Sequence, residues 1–75
     1  MFEERVVLDG GVLFELAFRS RSDYRLACLK DRQLLVEYAS GGRTLRGRTS
    51  AYEFKSVEKL RYDFERDARD AERQG

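Results

Sequence analysis

The chain has 75 residues, enough for one small domain, and its 39% of charged residues nearly cancel at a net charge of +1. That balance argues against a strongly basic nucleic-acid binder and against an acidic mimic of nucleic acid. Nine aromatic residues set among periodic aliphatics argue against disorder, and a single cysteine, Cys28, excludes an internal disulfide.

In chain order, the first element is a strand over residues 3–9, where Arg5-Val6-Val7-Leu8 is β-branched and apolar. Asp9-Gly10-Gly11 then supplies a turn, because glycine takes positive φ without steric cost. A second strand over 12–18 alternates, with Val12, Phe14, Leu16 and Phe18 on one face and Leu13, Glu15 and Ala17 on the other. The rival reading of residues 12–28 is a helix aligning Leu13, Leu16, Ser20, Tyr24 and Ala27, but it strands Phe14 and Phe18 outside the stripe. Arg19-Ser20-Arg21-Ser22-Asp23 reads as a polar turn. Alternation resumes over 24–29 (Tyr24, Leu26, Cys28) and, after Lys30-Asp31-Arg32, over 33–39 (Leu34, Val36, Tyr38). Ser40-Gly41-Gly42 marks another hairpin turn, and residues 43–49 form a last, mostly polar strand.

The final element is an amphipathic helix over 51–73. Val57, Leu60, Phe64, Ala68 and Ala71 follow at spacings of 3, 4, 4 and 3, one stripe on a 3.6-residue helix. Ser50 through Glu53 fits a capping box, while Ser56 is an alternative N-cap with Glu58 in the first turn. Lys59–Asp63, Arg61–Glu65, Glu65–Arg69 and Arg66–Asp70 are spaced for ion pairs on an outer, solvated face, where Asp63, Asp67 and Asp70 are also expected. The fold expected is α+β, a single domain over residues 1–75. It is an antiparallel meander of four to five strands with the C-terminal helix across one face. Val7, Leu13, Leu29, Leu35 and Tyr52 are left over as apolar surface that a two-layer domain of this size does not cover.

Chemistry is sparse. Without histidine, acid–base catalysis at neutral pH needs a shifted carboxylate or lysine, and Cys28 has no imidazole to activate it. No Cys/His metal cluster occurs, and Gly41-Gly42-Arg43-Thr44 is too short for a phosphate loop. The expectation is a non-enzymatic protein with no cofactor and no metal. The longest apolar run is too short to span a membrane, and residues 1–5 lack the pattern of a signal peptide. A cytoplasmic protein, or one assembled into a particle in the cytoplasm, is expected.

One asymmetry points to partners. Between Arg19 and Arg48 eight basic residues face three acidic ones, a local balance of +5. Arg43, Arg46 and Arg48, with Arg19 and Arg21, are therefore candidate partner-binding residues, directed at an acidic protein surface or at phosphates. The slightly acidic helix suggests head-to-tail docking of a basic hairpin on a neighbour's helix. Gly41-Gly42-Arg43-Thr44-Leu45 after a strand, then Ser56-Val57 and Leu60 opening a helix, resembles the hairpin-then-helix half of the small head-to-tail connector proteins of tailed phages, over residues 33–68. Those connectors begin with a helix, where this chain begins with strands. The resemblance implies a virion-assembly role. The function expected is thus a protein-interaction module, a small structural or assembly component of a virus or mobile element. The alternatives are a small inhibitor of a host complex, of the anti-CRISPR type, and an arginine-hairpin regulator that binds nucleic acid.

Overall fold

A computed structural model describes residues 2–74. Among the described residues six strands follow one another in an antiparallel meander, each paired with its sequence neighbours, and one α-helix follows the last of them; a 3-10 turn at Asp9–Gly11 joins the first two strands. The strands are β1 (Phe2–Val7), β2 (Val12–Ser20), β3 (Asp23–Lys30), β4 (Gln33–Ala39), β5 (Gly42–Leu45) and β6 (Arg48–Ala51); the helix is α1 (Val57–Gln74). The expected α+β architecture is present, with residues 12–28 folded as the β2–β3 hairpin rather than as a helix.

The strand count differs from four to five because residues 43–49 are not one strand. The chain reverses at Arg46-Gly47, where both φ angles are positive (48° and 85°). The same two-residue turn, with positive φ at both positions, joins β3 to β4 (Asp31, Arg32) and β4 to β5 (Ser40, Gly41). Such mirror-image turns match the twist of the strands they connect. Arginine at the first position gives no turn signal in sequence, since asparagine, aspartate or glycine usually stands there. Here Arg46 is held from outside. Its backbone N–H donates to the Leu35 carbonyl (3.0 Å), and its guanidinium donates to the Ala71 carbonyl in the last turn of α1 (2.7 Å).

The choice between the two serines is settled at α1. Ser50 lies in β6, and Ser56 caps the helix, its hydroxyl accepting from the Lys59 N–H at 3.1 Å. Residues 52–56 are irregular and bring Tyr52 and Phe54 back onto the core.

The core lies between α1 and one face of the sheet. Val12, Leu16, Tyr24, Leu26, Cys28, Val36 and Tyr38 meet Leu60, Phe64, Ala68 and Ala71 there. Burial of the large apolar members contributes about 1.5–3 kcal/mol apiece, against a few tenths for an exposed helix ion pair. The packed stripe therefore decides where α1 sits. Leu34 is not part of this core, although period-two alternation puts it with Val36 and Tyr38. A bulge between Cys28 and Leu29 breaks the period, so Leu34 is 42% exposed and Leu35 packs against the core instead.

Among the described residues no layer covers the other face of the sheet, yet Ala27 on that face is fully buried. It is opposite Glu15 on β2 and Glu37 on β4. Glu37 accepts from Arg25 at 2.6 Å, and these long side chains screen the small residue between them. Tyr52 and Leu35, expected as leftover surface, are packed; Leu13 and Leu29 are half-buried; Val7 is 78% exposed.

Candidate interaction site

The site begins at β1, an edge strand whose only neighbour in the sheet is β2. Phe2, Glu4 and Val6 stand opposite Phe18, Leu16 and Phe14 on the side of α1, while Glu3, Arg5 and Val7 stand opposite Ala17, Glu15 and Leu13 on the far side. The Leu8 N–H donates to the Val12 carbonyl at 2.8 Å, which fixes the phase of the ladder. Antiparallel ladders alternate between bonded and non-bonded pairs. The even residues of β1 therefore bond to β2, and the N–H and C=O groups of Glu3, Arg5 and Val7 point out of the sheet.

Beside this edge α1 leaves a groove. The helix lies over β3 and β4 rather than over β1, and a cleft of about 220 Å³ remains, floored by Val6, Leu8, Phe14, Leu16, Leu26 and Phe64. Val6 and Leu8 are 37% and 39% exposed. Phe14 and Phe64 meet edge to face in its floor at 5.3 Å between centroids. Arg61 and Glu65, one turn apart on α1, form its polar rim. Arg61 reaches the Glu4 carboxylate at 3.6 Å and lies 5.6 Å from the Phe2 ring centre. Phe2 stacks on Phe18, and Phe18 on Tyr24 and Phe54, so an aromatic row runs along this end of the core.

The opposite flank of α1 carries a buried polar cluster. Asp63 and Asp67, expected on a solvated face, turn inward. Asp63 is 5% exposed; it accepts from the Tyr52 hydroxyl (2.7 Å) and from the Lys59 ammonium (3.0 Å). Asp67 accepts from the Tyr38 hydroxyl and pairs with Arg43 at 3.5 Å. A buried tyrosine hydroxyl needs an acceptor, and the two carboxylates supply one each. Burial, then the neighbouring carboxylates, push the Tyr38 and Tyr52 hydroxyls well above the usual phenol range. Burial by itself would raise the Asp63 carboxyl, but the hydrogen bonds from Tyr52 and Lys59 and the charges of Lys59 and Arg66 hold it below the usual carboxylate range. The signal for this inward turn was present in sequence. At about 100° per residue, Asp67 falls only about 20° from Leu60 and within reach of the apolar stripe.

The five arginines singled out from sequence do not form one patch. Arg43 and Arg46 turn toward α1 of their own chain. Arg48 is exposed at the start of β6. Arg19 and Arg21 are exposed at the β2–β3 turn, with Arg21 5.8 Å from the Phe54 ring centre. Successive turns of a meander alternate between the two ends of the sheet, so the β2–β3 turn and the Arg46-Gly47 turn lie at opposite ends. Sequence reasoning did not use the β1 edge, which a meander already implies for its first strand, and it missed the groove, because no residue pattern tells how far a helix reaches.

Among the described residues, no group of three or more His, Cys, Asp or Glu is placed to hold a metal ion. Cys28 is fully buried and its thiol is pushed up to about 11 by burial and by the Glu72 charge. No described helix is long and apolar enough to cross a membrane. No protein family, no curated protein and no solved structure matches the chain.

Proposed function

We propose that this protein is a non-enzymatic interaction module that takes an extended segment of a protein partner onto the free edge of β1. The observation that carries the reading is the row of outward N–H and C=O groups at Glu3, Arg5 and Val7, set beside an apolar groove that α1 leaves open. Strand addition of this kind draws affinity from main-chain hydrogen bonds and selectivity from pockets for alternate side chains. The lack of histidine and the buried, poorly ionised Cys28 favour binding over catalysis. The inward turn of Arg43 and Arg46, and the separation of the other arginines, favour a protein partner over a phosphate backbone. A small structural or assembly component of a virus or mobile element suits this mode of association.

The test is a peptide-library selection against the folded protein, followed by amide mapping of the selected peptides by NMR. Expected are extended sequences with apolar residues at alternate positions, which protect the amides of Glu3, Arg5 and Val7 from exchange and shift Val6, Leu8, Phe14 and Phe64. Peptides that map instead to β6 or to the arginines would refute the reading, as would a selection that enriches none while the Glu3, Arg5 and Val7 amides exchange freely in the protein alone.

A further inference from the structure

We infer that the segment occupying the β1 edge is β1 of a second copy of this chain, antiparallel to the first and related to it by two-fold symmetry. The inference rests on the strand-addition reading above and names its partner. Two-fold symmetry about an axis normal to the sheet places residues of like parity opposite one another, because paired residues share a face. Leaving aside its two end residues, four registers are then centred within the strand, and the one centred on Val6 sets Arg5 opposite Val7 and matches no charges. The one centred on Arg5 sets two arginines face to face, and the one centred on Glu3 sets two glutamates face to face. The register centred on Glu4 alone matches opposite charges: Glu3 of each copy meets Arg5 of the other, twice, on the far side of the sheet.

The backbone supports this register, as it does every register of like parity. Glu3 and Arg5 are residues whose N–H and C=O groups point outward, so the two Glu3–Arg5 pairs are bonded pairs and exchange four main-chain hydrogen bonds. On the side of α1, Phe2 of each copy meets Val6 of the other, covering a side chain that is 37% exposed in the single chain. The two Glu4 carboxylates meet at the centre, and each already carries its own Arg61 guanidinium at 3.6 Å, which offsets their repulsion. Because α1 lies over β3 and β4, two copies meet through strands without their helices colliding. The second open edge, β6, offers only four residues, Arg48-Thr49-Ser50-Ala51, with no large apolar side chain among them.

The test is sedimentation equilibrium of the wild type and three charge variants over a hundredfold concentration range. The wild type is expected to approach twice its 8.8 kDa chain mass and to go no further. Arg5→Glu, and separately Glu3→Arg, turn two attractive cross-strand pairs into repulsive ones and are expected to weaken the dimer by about tenfold or more. The swapped double variant Glu3→Arg/Arg5→Glu restores the match and is expected to return to within about threefold of wild type. Glu3 stands opposite Ala17, so the Glu3→Arg melt should superimpose on wild type once dimer content is equal; Arg5 stands opposite Glu15 on β2, so Arg5→Glu is compared with the swapped double variant, which carries the same intrachain pair. A wild type that stays monomeric, a mass that grows past two copies (β1 pairing with β6 in an open series), or charge variants that leave the dimer unchanged would each overturn the inference. The peptide mapping separates the two levels. A monomer whose β1 amides still take up a selected peptide loses the second copy but keeps strand addition. A dimer indifferent to the charge variants, with Glu3, Arg5 and Val7 amides unprotected, loses both.

Discussion

Replacing Asp67 by alanine tests whether the polar flank of α1 is structural. The carboxylate accepts from the buried Tyr38 hydroxyl and pairs with Arg43, whose side chain is 31% exposed. Truncation leaves the hydroxyl without an acceptor, which costs about 1–3 kcal/mol. It also strips a partner from Arg43, whose Nε is already buried without one. Loss of one member of a fully buried ion pair costs about 3–5 kcal/mol, and the partial exposure of Arg43 reduces that share. A total of about 2–4 kcal/mol follows. For a domain of this length the whole stability is about 4–11 kcal/mol, so the variant should lose a large part of it. The melting temperature should fall by about 10–25 °C. The assay is urea unfolding followed by circular dichroism, beside Arg66→Ala as a control. Arg66 is half exposed, with contacts to Asp63 and Asp67 of 3.8 and 3.6 Å, and should cost no more than about 1 kcal/mol. Tyr38→Phe completes a double-mutant cycle, in which a coupling of about 0.5–3 kcal/mol with Asp67→Ala is expected. An Asp67→Ala variant within about 0.5 kcal/mol of wild type would show the carboxylate to be solvated and the cluster to contribute nothing.

Further outcomes follow from other parts of the molecule. Gly11→Ala places a methyl group 2.6 Å from an Asp31 carboxylate oxygen at a residue with φ of +79°, so urea unfolding should show a loss of about 1–3 kcal/mol. Equal stability there would mean that the β1–β2 turn relaxes freely. Cys28 should react with a thiol reagent at pH 8 on the order of a hundredfold slower in the native protein than in urea, since burial moves its thiol from 9.0 to about 11. Comparable rates would place the sulfur in solvent. The Asp63 carboxyl is depressed in the folded state, so its contribution is present above the unfolded value of about 3.9 and is lost as pH falls through the folded value. Asp63→Asn should therefore flatten the fall of stability below pH about 4; parallel curves for variant and wild type would refute this linkage.

The chain's own periodicities determined its architecture. Period-two alternation in Val12, Phe14, Leu16 and Phe18, and again in Tyr24, Leu26 and Cys28, made strands with one apolar face. The stripe through Leu60, Phe64, Ala68 and Ala71 made a helix with a matching face, and short polar connections left a meander as the topology. Those signals are local, since each residue's direction follows from its neighbours along the backbone. What the tertiary structure alone decided depends on groups far apart in sequence. The bulge that expels Leu34 arises between two strands. The reversal at Arg46-Gly47 is held by carbonyls of Leu35 and Ala71. The helix phase places Asp67 near the apolar stripe, but which acceptor each buried hydroxyl finds, Asp63 for Tyr52 and Asp67 for Tyr38, is set between groups far apart in sequence. The same holds for the site. A meander leaves β1 at an edge by its topology alone; that α1 stops short of that edge is a consequence of where the helix finds most apolar area to bury, a sum over the whole sheet that no single stretch of the chain carries.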